Sequence, residues 1–331
     1  MIESKQWLVI VLLALTGSMM ADAVMAKNYD SPDTIVVARD GTGEFRTVGE
    51  AIEVCRAFMD YHKVIYVKKG TYKEKLIVPQ WLQNIEICGE DRDATIITYD
   101  DHANIKTQEW PKGIGTFRSY TLRIEANNIT LKNITIENNA ARLGQAVALH
   151  TMGDRLVFEN CRFLGHQDTV YTGMEGTRLL FDHCYIEGTT DFIFGPSTAW
   201  FEQCRIHCKA NSYITAASTP QQRAFGYVFN RCEITVAEGV DKVYLGRPWR
   251  DHGYTLFMHC SLPKEIRPEG WHHWQKEREL TARYFEYENT GEGSQPSKRV
   301  AWSRQLMKKE AEKITIENVF SRHDDWIPSA R

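Results

Sequence analysis

Six short stretches in the middle of the chain share one pattern of apolar and polar residues. Each reads apolar, polar, polar, apolar, polar, apolar, with Ile134 at the fourth position of the first copy and cysteine in the other five. The copies begin at residues 131, 158, 181, 201, 229 and 257. Their spacings of 27, 23, 20, 28 and 28 residues form a loose period typical of solenoids and repeat arrays.

The last four residues of each copy alternate as they would in a β-strand with one buried face. The period is too short for a strand plus a full covering helix, so several short strands per coil fit it better. The sequence therefore predicts an all-β protein, a right-handed single-stranded parallel β-helix with coils about 4.8 Å apart. A β-sandwich is the alternative, but sandwich strands recur at roughly 8 to 12 residues without a shared phrase.

The segments flanking the repeat complete this prediction. The capping box Thr47-Val48-Gly49-Glu50 opens an amphipathic helix predicted over residues 48–59, which would cover the open end of the β-helix. A strand at 34–38 precedes this helix, and strands at 64–67, 76–78, 85–88 and 94–98 would form the first coils. The polar residues 100–115 would form an excursion of the kind that lines a cleft. A C-terminal tail, with a helical pattern at 307–315, is predicted to pack on the outside.

Residues 1–26 have the pattern of a signal peptide. Lys5 precedes an apolar run at 7–15, and small residues lead to cleavage predicted after Ala23 or Ala26. The run is short for a transmembrane span, although an uncleaved anchor remains the alternative. We therefore expect a secreted or periplasmic protein with one domain over residues 27–331, no stable membrane association after cleavage, and a monomeric state.

Composition and cysteine usage narrow the function classes. With 331 residues, 43% of them hydrophobic, and a net charge of -3, the chain can build one large core, and nothing indicates nucleic acid binding.

Five of the eight cysteines occupy the same inward repeat position, which favours an interior ladder of small apolar side chains, although oxidation between neighbours stays open. The chain has no C-x-x-C pair, and adjacent His272 and His273 would point to opposite faces of a strand, so we expect no metal site.

In a stacked repeat, residues at the same offset from the repeat phrase lie at equivalent positions on neighbouring coils. Asp168 follows Cys161 by seven residues, and Asp191 follows Cys184 by seven. If the coils are in register, the two carboxylates lie on the order of 5 Å apart. Two such groups cannot both ionise easily, so one would keep its proton while the other is an anion. The pair could supply an acid and a nucleophile, or it could simply satisfy backbone groups in the turns.

Five phrases, in this order, resemble the signature set of the pectin methylesterases (pectinesterases) over about residues 34–271. They are GTYKE at 70–74, QAVAL at 145–149, GHQDTVY at 165–171, DFIFG at 191–195 and LGRPW at 245–249. Any one phrase would be weak, but five in order are specific. The family often has tyrosine where this chain has His166. We interpret Tyr72 and Glu74 of the first phrase as structural.

The resemblance implies an enzyme that removes methyl esters from the galacturonate units of pectin, releasing methanol through an acyl-enzyme intermediate without metal or cofactor. It assigns Asp191 as the nucleophile and Asp168 as the acid and base. Gln145 and Gln167 match the oxyanion donors, and Arg247 the group that holds the nucleophile. Sugar contacts are expected at Trp249, Trp271, Tyr171, Phe194, Phe117 and Thr116, although aromatic residues on a β-helix are more often packing groups.

Two other functions remain open from the sequence. A polysaccharide hydrolase or lyase could use the same scaffold, since carboxylates about 5 Å apart also suit retaining glycosidases. A calcium-dependent lyase would need several converging carboxylates, and a serine esterase would need a G-x-S-x-G turn, which the chain lacks. A non-catalytic pectin-binding module is the remaining alternative. An esterase would release methanol and leave the polymer length unchanged.

Overall fold

The strands of the computed structural model form three parallel sheets that run side by side around one core. The model describes residues 27–322, 324 and 326–328, and the predicted signal peptide lies outside them. Between residues 63 and 258 the chain passes repeatedly through sheet A, sheet B and sheet C in turn, and each strand pairs with its equivalent on the next coil. The prediction of a right-handed parallel β-helix is confirmed.

The strands are short, and the coil-to-coil pairing defines the sheets. Sheet A contains β1 (Ile35–Val37), β2 (Lys63–Val67), β5 (Gln83–Gly89), β8 (Asn127–Lys132), β11 (Leu156–Glu159), β14 (Arg178–Asp182), β17 (Thr198–Glu202), β20 (Tyr227–Asn230), β23 (Tyr254–Met258), β24 (Arg283–Tyr287) and β25 (Arg304–Gln305). Sheet B contains β3 (Gly70–Lys73), β6 (Thr95–Tyr99), β9 (Thr135–Asn138), β12 (Arg162–Leu164), β15 (Tyr185–Gly188), β18 (Arg205–Cys208) and β21 (Glu233–Val236). Sheet C contains β4 (Leu76–Val78), β7 (Leu122–Ile124), β10 (Leu149–Thr151), β13 (Val170–Thr172), β16 (Ile193–Gly195), β19 (Tyr213–Ala217) and β22 (Tyr244–Gly246).

The six-residue pattern lies at the corner between sheet A and sheet B. In every copy the first two residues end a sheet A strand, and in the first five copies the last two begin a sheet B strand. The third residue of every copy has a left-handed backbone, with φ between 47° and 55°. The prediction that the last four residues follow one strand is therefore wrong in detail, because a left-handed residue turns the chain between the strands. The alternation of burial persists since the turn directs the fourth side chain inward.

The five repeat cysteines form a buried column behind this corner. Each thiol donates a hydrogen bond to a sheet A carbonyl of the preceding coil, at 3.3 to 3.5 Å. All eight cysteines of the chain are free. Beside the column, Phe158, Phe181, Phe201, Phe229 and Phe257 stack at ring-centroid distances of 4.3 to 4.7 Å. The repeat thus builds a continuous apolar core along the helix axis.

A short helix, α1 (Val48–Glu53), packs at the N-terminal end of the core. Its capping box is formed as predicted, with Thr47 and Glu50 bonded reciprocally. Glu74 accepts hydrogen bonds from the first two helical N–H groups, each at 2.9 Å, which supports its structural interpretation. The helix ends at Glu53, well before residue 59, and beyond it Phe58 adopts a φ of 57° and donates its N–H to the carbonyl of Trp81.

The C-terminal tail packs on the outer face of sheet A, as predicted. It contains α2 (Lys308–Ala311) and α3 (Ile316–Phe320), while 3-10 turns occur at Thr116–Arg118, Arg278–Leu280 and Pro296–Lys298. Val319 and Phe320 of α3 pack against outward-facing apolar residues of sheet A, among them Trp200. Arg178, 1% exposed, also bonds to Asp324 of the tail. The opposite side of the molecule, around sheet C, is left open for a functional site.

Candidate active site

Two aspartates occupy equivalent places on neighbouring coils where the chain passes from sheet B to sheet C. Asp168 lies between β12 and β13, and Asp191 between β15 and β16. The strand register pairs Val170 with Ile193, so the residues two positions before them are also in register. Neighbouring parallel strands lie about 4.8 Å apart. The stacking expected from the repeat is therefore present.

Both aspartates have an unusual backbone conformation, and a hydrogen bond to the next coil holds the backbone of each. Asp168 has a φ of 66° and Asp191 a φ of 48°, in the left-handed region that aspartate tolerates better than most residues. The Asp168 N–H donates to the Thr190 carbonyl at 3.1 Å, and the Asp191 N–H to the Tyr213 carbonyl at 2.8 Å. Each loop is thus fixed to the coil that follows it, which restricts the positions of both carboxyl groups.

Arg247 holds one of the two carboxylates. It follows β22, and its Nε and NH2 groups donate to the two oxygens of Asp191 at 3.0 and 2.6 Å. The guanidinium lies between two aromatic rings, 3.9 Å from the ring centre of Tyr213 and 3.8 Å from that of Trp274. Stacking on both faces and two parallel hydrogen bonds leave the arginine little freedom. Asp191 is therefore held in one orientation.

The two carboxyls differ in their electrostatic surroundings. Only 8% of Asp168 and 5% of Asp191 are exposed. Burial raises the pKa of Asp191, but the hydrogen bonds and charge of Arg247 oppose this rise. Burial also raises the pKa of Asp168 well above its usual range, and the neighbouring Asp191 charge raises it further. Asp191 therefore ionises first, and Asp168 keeps its proton beside it.

Two glutamines line the same cleft from successive coils. Gln145 lies between β9 and β10, and Gln167 immediately precedes Asp168. Their loops are joined by a hydrogen bond from the Ala146 N–H to the Gln167 carbonyl, at 3.1 Å. Neither side-chain amide bonds to another group among the residues described. Both amides therefore keep free N–H donors beside the carboxyl pair.

An aromatic row runs along the outer face of sheet C. Phe117 contacts Tyr171 at a ring-centroid distance of 4.8 Å, Tyr171 contacts Phe194 at 4.9 Å, and Phe194 contacts Trp249 at 5.8 Å. Phe117 is 43% exposed, whereas Phe194 is 4% exposed. Thr116 and Phe117, which follow the polar excursion, form one wall of the cleft. The row joins the exposed rim of the cleft to its floor.

The predicted sugar contact of Trp271 is wrong. Trp271 is 1% exposed and packs against Tyr284, with ring centroids 4.6 Å apart. A β-bridge pairs it with Gly246, which places it in the inward-facing column of sheet C. Trp274, three residues later, has a φ of 61° and lines the cleft instead. The sequence shows two tryptophans in this segment but not which of them turns outward.

Together these side chains form a cleft of about 310 Å³ on the outer side of sheet C. It is lined by Thr116, Phe117, Gln145, Gln167, Asp168, Asp191, Phe194, Ala216, Arg247, Trp249 and Trp274. All five predicted catalytic residues are brought together here. Tyr213 and Trp274, which hold the arginine, were not identified from the sequence because neither belongs to the five phrases.

The described residues contain neither a metal-binding cluster nor a membrane-crossing helix. Over the described part of the chain, His, Cys, Asp and Glu nowhere form a group of three or more suited to hold a metal ion. His272 and His273 stack on each other at 4.6 Å, and the Trp274 N–H donates to Nδ1 of His272. None of the helices in residues 27–322 has the length and apolar character that a membrane crossing requires.

Comparisons with known proteins agree with the geometry. The family model described as Pectinesterase matches residues 34–323. Pectinesterase 31 of Arabidopsis thaliana is 41% identical over 281 residues, which are 83% of this chain and 88% of that protein. A probable pectinesterase/pectinesterase inhibitor of Brassica napus is 34% identical over 313 residues, 90% of this chain. This chain spans only 52% of the length of that second relative.

A solved structure shares the fold as well. Pectin methylesterase from carrot superimposes with a TM-score of 0.80 at 32% sequence identity, covering 88% of this chain and 93% of the carrot chain.

Proposed function

The chain belongs to the pectinesterase family, and from this premise we propose that it removes methyl esters from the galacturonate units of pectin. The observation that carries the proposal is the pair of in-register aspartates, of which one is bound by an arginine and the other is not. The reaction needs an anion and a protonated acid side by side, and this pair supplies both. It proceeds through a covalent acyl-enzyme intermediate.

Asp191 is the nucleophile. Its bidentate pairing with Arg247 favours the ionised form and orients one oxygen for attack on the ester carbonyl carbon. A new bond forms between that oxygen and the carbonyl carbon, and the electron pair of the C=O bond moves to the carbonyl oxygen. The free amides of Gln145 and Gln167 donate hydrogen bonds to this oxyanion. Because both amides are neutral, they do not add a charge beside the carboxyl pair.

Asp168 acts in both halves of the reaction. Its raised pKa keeps it protonated near Asp191, so it can give its proton to the departing methoxy group, which leaves as methanol. The acyl group then remains on Asp191 as a mixed anhydride. The Asp168 carboxylate next takes a proton from water, and the resulting hydroxide attacks the acyl carbon. This step releases the galacturonate carboxyl and restores Asp191 as an anion and Asp168 as an acid.

The aromatic row provides a surface for the polymer. Trp249 and Phe117 are partly exposed at the two ends of the row, and sugar rings commonly pack on such faces. We assign sugar contacts to Phe117, Trp249, Trp274 and Thr116, with Tyr171 and Phe194 supporting them. No cofactor is required for any of these steps. We further propose that the protein acts as a monomer and is exported by the signal peptide predicted over residues 1–26.

The test is methanol release from highly esterified pectin, with the polymer length followed by size-exclusion chromatography. We expect methanol to accumulate, the polymer length to stay constant, and a parallel reaction with chelator to run at the same rate. Shortening of the polymer without methanol would instead identify a hydrolase or lyase on this scaffold.

The Asp191→Ala variant distinguishes an enzyme from a binding module. We expect it to lose methanol release while its binding to pectin, measured by affinity electrophoresis, stays close to that of the parent protein. Binding also serves as the folding control. Methanol release at the parent rate would contradict the assignment of Asp191.

A further inference from the structure

Trp274 has a backbone conformation that a bulky residue rarely adopts. Its φ of 61° lies in the left-handed region, where the side chain of a large residue is strained. Its indole ring covers one face of the Arg247 guanidinium, with the ring centre 3.8 Å from the guanidinium carbon. The structure around Trp274 must therefore contain a group that keeps the ring in this place.

The side chain of His272 supplies this restraint. The Trp274 N–H donates to Nδ1 of His272 at 3.0 Å, which closes a tight turn. The His272 N–H in turn donates to the carbonyl of Gly246 at 3.1 Å, and Gly246 immediately precedes Arg247. The segment that carries the indole is thus fastened to the strand that ends beside the arginine, and the histidine ring fixes the turn from which the indole projects.

The ring of His272 also reaches the aromatic group on the other side of the arginine. Its centroid lies 5.5 Å from that of Tyr213 and 5.5 Å from that of Tyr244. Tyr213 covers the second face of the Arg247 guanidinium, at 3.9 Å. His272 therefore contacts both aromatic residues that enclose the arginine, Trp274 by a hydrogen bond and Tyr213 by ring packing.

The charges around His272 favour the form of the ring that can accept this hydrogen bond. Nδ1 accepts only when it carries no proton, so the neutral ring holds its proton on Nε2. The charged groups that face the ring are basic, namely Arg247, Arg267 and His273. Burial lowers the pKa of His272, and these three groups lower it further. Within the described part of the chain, no carboxylate forms an ion pair with the ring to oppose them.

We propose that His272 is a positioning residue, which holds Trp274 against Arg247 through the hydrogen bond at its Nδ1. The arginine then keeps Asp191 oriented for attack. The inference rests on the proposed function, since that function gives Arg247 the task of holding the nucleophile. Protonation of His272 replaces the acceptor at Nδ1 by a donor, which opposes the Trp274 N–H and releases the indole. The hold on Asp191 is thereby coupled to the protonation of a histidine outside the lining of the cleft.

The experiment compares two replacements of His272. His272→Leu keeps an apolar side chain in the space but removes the acceptor. His272→Asn keeps an acceptor, because the side-chain oxygen of asparagine accepts from the N–H two residues later, and this side chain does not titrate. His207→Leu is the matched control. His207 is also half-buried, also has a lowered pKa and also bonds through Nδ1, to Thr235 at 2.9 Å, but it lies on sheet B outside the cleft.

We expect kcat for methanol release at pH 7 to fall about tenfold in His272→Leu, and to stay within about twofold of the parent value in His272→Asn and His207→Leu. Trp274→Ala should also lower kcat about tenfold. Adding His272→Leu to it should cause no further loss, because both replacements act through the same indole. The proposal is overturned if His272→Asn loses as much as His272→Leu, if His272→Leu matches the parent, or if the losses in the double variant multiply.

A magnetic resonance measurement separates this proposal from the proposed function, because it needs no turnover. The chain has nine tryptophans, so selective 15N labelling of tryptophan leaves few signals, and Trp274→Phe identifies the one that matters. We expect the Trp274 backbone amide to be protected from hydrogen exchange in the parent protein and in His272→Asn, and to exchange about tenfold faster in His272→Leu.

The same signal reports the effect of protonation. In the parent protein the shift of the Trp274 amide should follow the titration of the His272 ring, whose pKa lies below its ordinary value of 6.5, and in His272→Asn the shift should stay constant. These results support the positioning role even if the protein releases no methanol from any substrate. An amide that responds neither to the replacement of His272 nor to its titration refutes the role even if the protein is an active esterase.

Discussion

Arg178 and Arg247 both hold buried or partly buried aspartates, and the two sites differ in how completely the charged groups around the arginine are bonded. Arg178 bonds to both oxygens of Asp154 at 3.1 and 2.7 Å, to both oxygens of Asp324 at 2.8 and 2.5 Å, and to the Phe320 carbonyl at 3.1 Å. Within the described part of the chain, the Arg247 side chain bonds only to Asp191, and the carboxyl of Asp168 on the neighbouring coil has no hydrogen-bond partner.

The difference separates a structural ion pair from a reactive one. Around Arg178 both aspartates are bonded to the arginine, and the cluster fastens the tail to sheet A. Beside Arg247, the buried carboxyl of Asp168 accepts no hydrogen bond from a cation among the described residues. Burial and the Asp191 charge raise its pKa, so it keeps a proton. A saturated network contributes to stability, whereas an incomplete one keeps a group available for chemistry.

The largest expected effect is on turnover. Asp168→Asn preserves the shape of the side chain but removes the proton that the methoxy group needs and the base that activates water. We expect kcat for methanol release to fall about 10³- to 10⁴-fold, with KM little changed. Loss of less than tenfold would contradict the acid and base role of Asp168.

Exchanging each arginine for methionine sharpens the comparison. Arg178→Met leaves Asp154 and Asp324 without their partner, and we expect the free energy of unfolding to fall by about 3 kcal/mol while kcat stays near the parent value. Arg247→Met should lower kcat about 100-fold, because Asp191 is neither oriented nor kept ionised.

Denaturant unfolding and methanol release are measured on both proteins. If Arg178→Met loses kcat as severely as Arg247→Met, the two clusters are not functionally distinct.

The smallest expected effect concerns stability and pH. The pKa of Asp168 is raised above the reference of 3.8, so its contribution to stability is complete below that pH and is lost as the pH rises through the folded-state pKa. Asp168→Asn should therefore be more stable than the parent at pH 7, by about 1 kcal/mol or more. The gain should shrink as the pH is lowered toward 3.8.

Replacing Asp324 should change the stability in the opposite direction to replacing Asp168. The hydrogen bonds and charge of Arg178 lower its pKa from 3.8, so its contribution is present above that pH and is lost as the pH falls through the folded-state pKa. Asp324→Asn should be less stable than the parent at pH 7. Thermal unfolding between pH 4 and pH 8 measures the stability of both variants relative to the parent. If Asp168→Asn and Asp324→Asn both raise or both lower the stability at pH 7, the two clusters do not differ in their electrostatics as proposed.

The repeat made much of this fold predictable. A loosely periodic pattern with an inward cysteine column predicted the β-helix and its interior ladder, and the offset of seven residues predicted the stacking of Asp168 and Asp191. These predictions succeeded because coils in register place equivalent residues one above the other. The five phrases supplied Arg247, Gln145 and Gln167 through the family resemblance.

Other features depended on details that the pattern does not encode. The helix α1 ends at Glu53, earlier than predicted, and the repeat phrase bends at its third residue instead of continuing one strand. The same kind of local detail reversed the assignment of Trp271 and revealed Trp274. The single-domain boundary at residue 27 and the signal cleavage site remain predictions.

The sequence by itself determined which residues face the core and which lie on equivalent positions of successive coils, because both follow from spacing along the chain. Only the tertiary structure decided which side chains meet across loops of unequal length. Tyr213, Trp274 and Arg247 come from three different segments, and backbone turns rather than periodicity bring their side chains into contact.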